Sequence, residues 1–134
     1  MKPLLLALLL CADTIHAQLA VTVSPVKATG QKAIVPLALR NNLGEKIESA
    51  RAACFILDDQ GKVVGQASRW IIGGSGDKAG LTPGATNSFH FVITSDKPFA
   101  TTNLAARVQF SRVILEGDKL ANVQKDVQVE NSNK

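Results

Sequence analysis

From Leu19 onward, hydrophobic and polar residues alternate with a period of two along most of the chain, the pattern of strands with one face buried and one wet. Leu19, Val21 and Val23 alternate with Ala20, Thr22 and Ser24 until Pro25 stops the run. After Gly30, Ala33, Val35, Leu37 and Leu39 share one face, with Ile34, Pro36, Ala38 and Arg40 on the other. Pro36 has no N–H to give a ladder, which predicts an edge strand or a bulge at that point. Asn41-Asn42-Leu43-Gly44 is turn chemistry. A long strand is predicted from Ile47 to Leu57, then a hairpin turn at Asp58-Asp59-Gln60-Gly61 with positive φ at the glycine, then a returning strand from Lys62 to Ile72. The glycine-rich loop Gly73-Gly74-Ser75-Gly76-Asp77-Lys78-Ala79-Gly80 follows, and Leu81-Thr82-Pro83-Gly84 turns into a further strand. There Phe89, Phe91 and Ile93 oppose Ser88, His90, Val92 and Thr94. Next, Leu104, Ala106, Val108 and Phe110 face inward before the apolar phase slips to Val113 and Leu115. An unbroken register would push Arg112 into the core, so a bulge is predicted near Ser111-Arg112. A last strand is predicted over roughly Leu120 to Val129, with Glu130 to Lys134 a polar tail.

These runs, with no helical periodicity and no internal repeat, predict an all-β fold: an immunoglobulin-like sandwich of about seven antiparallel strands over residues 18–134. Residues 1–17, MKPLLLALLLCADTIHA, have a different pattern. Lys2 supplies a positive start, Leu4 to Leu10 with Cys11 and Ala12 an apolar run, and Ala17 the small residue required before a cleavage point. The run is too short to span a bilayer as a helix. It reads as a signal peptide cleaved after Ala17, and the protein is expected to be exported, to the periplasm or beyond. A lipid anchor on Cys11 is set aside, because Leu10 stands where such a signal takes a small residue. Past residue 17 the chain holds one cysteine, Cys54, and one histidine, His90, so no internal disulfide supports it and its apolar core must suffice.

Composition narrows the function classes. The 134 residues are 46% hydrophobic and 19% charged, enough for the core of a single domain and unlike a disordered chain. Fifteen Lys and Arg against eleven Asp and Glu give +4, and the cations are scattered singly with no aromatic residues interleaved, so no nucleic-acid partner is expected. No second stretch is apolar and long enough for a transmembrane span. The one methionine is Met1, which excludes a methionine-rich copper site.

The segment Ile47 to Val64 resembles the signature of the FxLYD domain, a bacterial immunoglobulin-like module named for a Phe-x-Leu-Tyr-Asp strand end before a glycine turn. Phe55, Leu57 and Asp59 match it, and Asp58 stands in the tyrosine position. Leu39-Arg40-Asn41-Asn42 is similar to the family's strand-then-Asn entry, and Leu81-Thr82-Pro83-Gly84 to its Leu-x-Pro-Gly turn. The resemblance covers about residues 32–93 and implies a non-catalytic envelope domain. Val23-Ser24-Pro25 with Ile34 to Asn41 also resembles the opening of periplasmic pilus-chaperone domains, which implies an assembly factor holding its partner by strand addition. Those chaperones have two domains, and this chain has length for one.

Candidate chemistry is sparse. Cys54 and His90 form the one conceivable thiol–imidazole pair, a thiol-dependent enzyme or redox protein being the corresponding function. Against it, Cys54 sits in a strand as a small hydrophobe would, and His90 alternates with phenylalanines and so points outward. One Cys and one His cannot make a zinc site. Asp58 and Asp59, with Asp77, could face a calcium ion, but adjacent carboxylates in a turn are more simply turn formers. The glycine loop fits no phosphate-binding pattern. No cofactor and no metal are expected.

The oddity lies in the strand from Ile47 to Leu57. Ala52, Cys54 and Ile56 alternate with Ala53, Phe55 and Leu57, so both faces are apolar where one should be wet. Either an outer face is covered by a partner or by self-association, or the strand is central and roofed by the stems of Arg51, Arg69 and Arg107. Ala52, Cys54, Ile56 and Trp70 are the candidate interaction surface, although a single tryptophan in a sandwich is first read as core. The expected function is an exported, non-catalytic binding or structural module.

Overall fold

In a computed structural model the chain is described over residues 17–74 and 79–132. The leader up to residue 16 with Cys11, the 75–78 part of the glycine loop with Asp77, and residues 133 and 134 lie outside the described residues. Strands make up 60% of the described residues and helix 4%. The elements are β1 (Leu19–Val23), β2 (Lys27–Thr29), β3 (Lys32–Asn41), β4 (Ile47–Leu57), β5 (Val63–Ile72), β6 (Thr86–Thr94), β7 (Ala105–Leu115), β8 (Lys119–Leu120), α1 (Val123–Asp126) and β9 (Val127–Asn131).

Two sheets stack into the expected all-β sandwich. The first runs β6-β3-β1-β9, with β2 continuing the line of β1 along the same side of β3, and the second runs β5-β4-β7-β8. Inward residues of the first, among them Val21, Val35, Leu37, Phe91 and Ile93, meet Ala52, Cys54, Ile56, Val108 and Phe110 of the second in one buried cluster. The seven longer strands are the ones the alternation predicts. β1 and β9 pair in parallel, Leu19 opposite Val127, whereas every other ladder is antiparallel.

Pro36 is accommodated differently from expectation. β3 is paired on both sides and is not an edge. Val23 pairs with Leu37 and Lys27 with Ile34, so Ser24, Pro25 and Val26 stand against Val35 and Pro36 alone. Pro36 accepts a hydrogen bond from the Ser24 N–H at 2.9 Å, so its missing donor faces that interruption, where no regular ladder exists to break. The irregularity lies on the neighbouring strand.

The predicted bulge in β7 is present. Arg51 pairs with Arg112 and Ala52 with Phe110, leaving Ser111 as the extra residue. Phe110 and Val113 stay buried while Ser111 and Arg112 are both exposed. The chain end corrects the single strand expected over 120–129. Asn122 caps one helical turn, its Oδ1 accepting from the N–H groups of Gln124 and Lys125 at 3.1 and 3.2 Å. Asp126 Oδ2 reciprocates by accepting from the Asn122 N–H at 3.0 Å. Local side-chain bonding thus wins over apolar alternation, and β9 starts afresh at Val127.

Candidate functional site

The site grows from β4, the one strand of the second sheet with long neighbours on both sides. Ala52, Cys54 and Ile56 point into the sandwich and are 0% exposed. The expectation that they form an interaction surface is therefore wrong in phase: their face is the core. Trp70, by contrast, is not core. It is half-buried on the outside of the sheet, opposite Arg51. The outward face of β4 is Arg51, Ala53, Phe55 and Leu57, all half-buried. Arg51 carries the signal for this phase, since a guanidinium one residue from Ala52 marks its own parity as outward.

Three rows cross this face from β5 through β4 to β7: Trp70–Arg51–Arg112, Ser68–Ala53–Gln109 and Gln66–Phe55–Arg107. The Arg51 guanidinium carbon lies 5.6 Å from the centre of the Trp70 ring, and that of Arg107 lies 5.6 Å from the centre of the Phe55 ring. The two guanidiniums roof the rings, which is how this sheet keeps an apolar outer stripe in water. Arg69 behaves differently: it occupies an inward register position on edge strand β5, opposite Ala52, and its head turns out to donate to the Ser68 carbonyl at 2.9 Å. On the β4–β5 side of the face, Ala53, Phe55, Gln66, Ala67 and Ser68 line a shallow depression of about 410 Å³.

The electrostatics of the face are one-signed. Residues 49–57, 63–72 and 105–115 contain Arg51, Arg69, Arg107 and Arg112 and no Asp or Glu. The flanking acids along the chain, Glu48, Asp58 and Glu116, stand at strand ends. Among the described residues the ion pair found is Lys119 with Glu45, away from these arginines.

The other candidates do not come together. Cys54 faces the core from the second sheet, and His90 is exposed on the outer side of the first, opposite Pro36. Burial pushes the Cys54 thiol up to about 11, so it is protonated at neutral pH and a poor nucleophile. Asp58 accepts from the N–H groups of Gln60 and Lys62, both at 2.9 Å, which closes the β4–β5 turn at Gly61 (φ 79°). The same bonds hold its carboxyl below the usual range. No group of three or more His, Cys, Asp or Glu among the described residues is placed to hold a metal ion. No helix among them is long and apolar enough to cross a membrane.

Two further depressions lie along the seam between β5 and β6. One of about 330 Å³ has Val64, Phe99 and Leu104 beneath a rim that includes Asp58, Asp59 and Lys97. The other, of about 520 Å³, lies beside Gly73 and Gly80. Gly73 is required there on packing grounds: its φ is +58°, and a Cβ would sit 2.0 Å from the Glu48 carbonyl oxygen. Comparisons with protein-family models, with curated proteins and with solved structures found no match to this chain.

Proposed function

We propose that the chain is an exported, non-catalytic binding or structural module of the cell envelope or exterior, and that the outer face of β5-β4-β7 is its working surface. One observation carries the reading. A central strand keeps Ala53, Phe55 and Leu57 half-buried on its solvent side, with Phe55 beneath an Arg107 that has no carboxylate partner among the described residues. A purely structural sheet face would be served by polar residues in those positions. Export is supported by the leader pattern of residues 1–17 and by a first strand that begins two residues after Ala17. The FxLYD-like resemblance fits this placement, with Phe55 and Leu57 on the outer face and Asp58 capping the turn. The thiol-enzyme alternative is disfavoured by a buried, protonated Cys54 and an outward His90.

A chaperone-like reading has one observation in its favour. β5 pairs within its sheet only with β4, and β6 only with β3, so each sheet presents a long strand with an unpaired edge along the seam. Both readings are tested by placing a photo-reactive residue at Ser68 or Gln109 on the face, at Asn87 on the β6 edge, and at Thr22 on the outside of the first sheet, in the cell that makes the protein. A discrete adduct from Ser68 and Gln109 is expected. Adducts confined to Asn87 replace the first reading with strand addition, and adducts confined to Thr22, or none, overturn both.

A further inference from the structure

We infer that the occupant of the β5-β4-β7 face is an extended acidic polypeptide segment whose carboxylates are spaced to reach the Arg51–Arg112 row and Arg107 together. This deepens the binding-module reading and rests on it. The face offers guanidiniums at both ends and small or amide side chains between. Arg51 and Arg112 stand side by side in one row, Arg107 in another, and Ser68, Ala53 and Gln109 in the row between them. Arg51 and the Phe55 over which Arg107 lies are four strand residues apart, about 13 Å at the rise of a β-strand. A partner chain that is itself extended has the same rise, so carboxylates about four residues apart reach both ends at once.

Cation–π contacts with Trp70 and Phe55 restrict the Arg51 and Arg107 guanidiniums, and a restricted fork binds a carboxylate with less entropy lost than a free arginine would lose. Gln66, Gln109 and Ser68 supply donors and acceptors for the partner's backbone along the floor. Among the described residues these arginines form no ion pair, which leaves them for an outside anion.

Two other polyanions fit less well. A single-stranded nucleic acid needs open ring faces for its bases, and the rings here are roofed by Arg51 and Arg107. An anionic membrane is met by outward-reaching cations and a protruding apolar rim. Here the Arg51 and Arg107 guanidiniums lie over rings of their own sheet, and Leu120, 69% exposed, stands beyond the far row beside Ile114.

Trp70 is the single tryptophan, so its fluorescence reports directly on this face. The experiment titrates the protein, as purified from the cell that makes it, with a ten-residue peptide carrying two glutamates four residues apart. The comparison probes are the same peptide with glutamine in both places, a peptide with adjacent glutamates, phosphatidylglycerol vesicles and an oligothymidylate. Expected is a saturable Trp70 change with the spaced peptide, lost on Glu-to-Gln replacement, at least tenfold weaker with adjacent glutamates and suppressed by 0.5 M salt, as a roughly 8 Å Debye length at physiological salt shrinking further would require. Arg107→Glu should weaken binding at least tenfold and Arg107→Lys by a smaller factor, while Arg40→Glu on the first sheet leaves it unchanged. Equal urea midpoints for the three variants show that the fold is kept. Tighter Arg107-dependent binding to vesicles or to the oligonucleotide, or no preference for the spaced peptide, overturns the acidic-segment inference and leaves the binding-module reading standing. That reading fails separately, if Ser68 and Gln109 give no adduct in the cell.

Discussion

Asn41 is the buried polar side chain around which two loops are tied. It is 0% exposed, its Nδ2 donates to the carbonyls of Glu45 and Leu81, and its Oδ1 accepts from the Leu43 N–H, each at 2.9 Å. Its backbone also bonds Ala85 and Gly84. Asn41→Ala removes three hydrogen bonds, leaving the Leu81 carbonyl with the Ile47 N–H alone, and is expected to cost about 3 kcal/mol in urea unfolding. Asn41→Asp should cost more at pH 7 than at pH 4, because an ionised carboxylate faces two carbonyl oxygens and only the protonated form can donate. Cys54 gives a second residue-scale expectation. A thiol reagent should label it at neutral pH only as fast as the protein unfolds. The folded thiol titrates near 11 and the unfolded one near 8.5, so the folded state holds a proton that the unfolded state has released. Stability should therefore fall as pH rises through that interval, and a Cys54→Ala variant should lose that slope. Asp58 has the opposite sign. Its carboxyl is held below the usual range, so its contribution is present above about pH 4, the unfolded value, and lost as pH falls through the folded one. Asp58→Asn keeps the turn's acceptor and should flatten that acid limb.

At the scale of elements, phase decides what a strand can lose. Ser111 and Arg112 both point outward between buried Phe110 and Val113, so removing Ser111 restores strict alternation with every buried side chain still inward. The deletion is expected to fold, at a cost of roughly 1 kcal/mol for the lost bulge twist and the Ser111 bond to the Arg51 carbonyl. Deleting Gln109 instead turns Val108 outward and Arg107 inward, and should abolish the cooperative transition. Circular dichroism and urea melts of the two deletions separate these outcomes. The same reasoning shows what the sequence could and could not reveal. The Ser111 slip was legible because Arg112 cannot be buried, and the Asp58 turn because its residues bond locally. The inward phase of β4 was obscured because Cys54 and Phe55 are both apolar, although Arg51 marks the outward parity. The helical turn at Asn122 and the β7–β8 hairpin at Gly117-Asp118 (φ 81° and 62°) were written in capping and Gly-Asp turn chemistry. Apolar alternation running through them masked both. The placing of Arg112 beside Arg51 and of Arg107 beside Phe55 depends on register between distant strands, and no local pattern encodes it.

For the molecule as a whole, the pairing of β1 with β9 matters most. Val127 and Val129 pack on the core and continue the ladder beyond β1. Ending the chain at Asp126 removes both and is expected to lower stability by at least about 3 kcal/mol, read as a drop in the urea midpoint. The pairing also sets an order of events in time. Leu19 leaves the ribosome with the first residues of the sandwich and Val127 with the last, so the outer edge of β1 has no strand partner while nearly the whole chain is being delivered. A parallel pair of such sequence separation is slow to close. The first sheet thus stays one strand short, with the outer edge of β1 open, until residues 127–131 have been delivered.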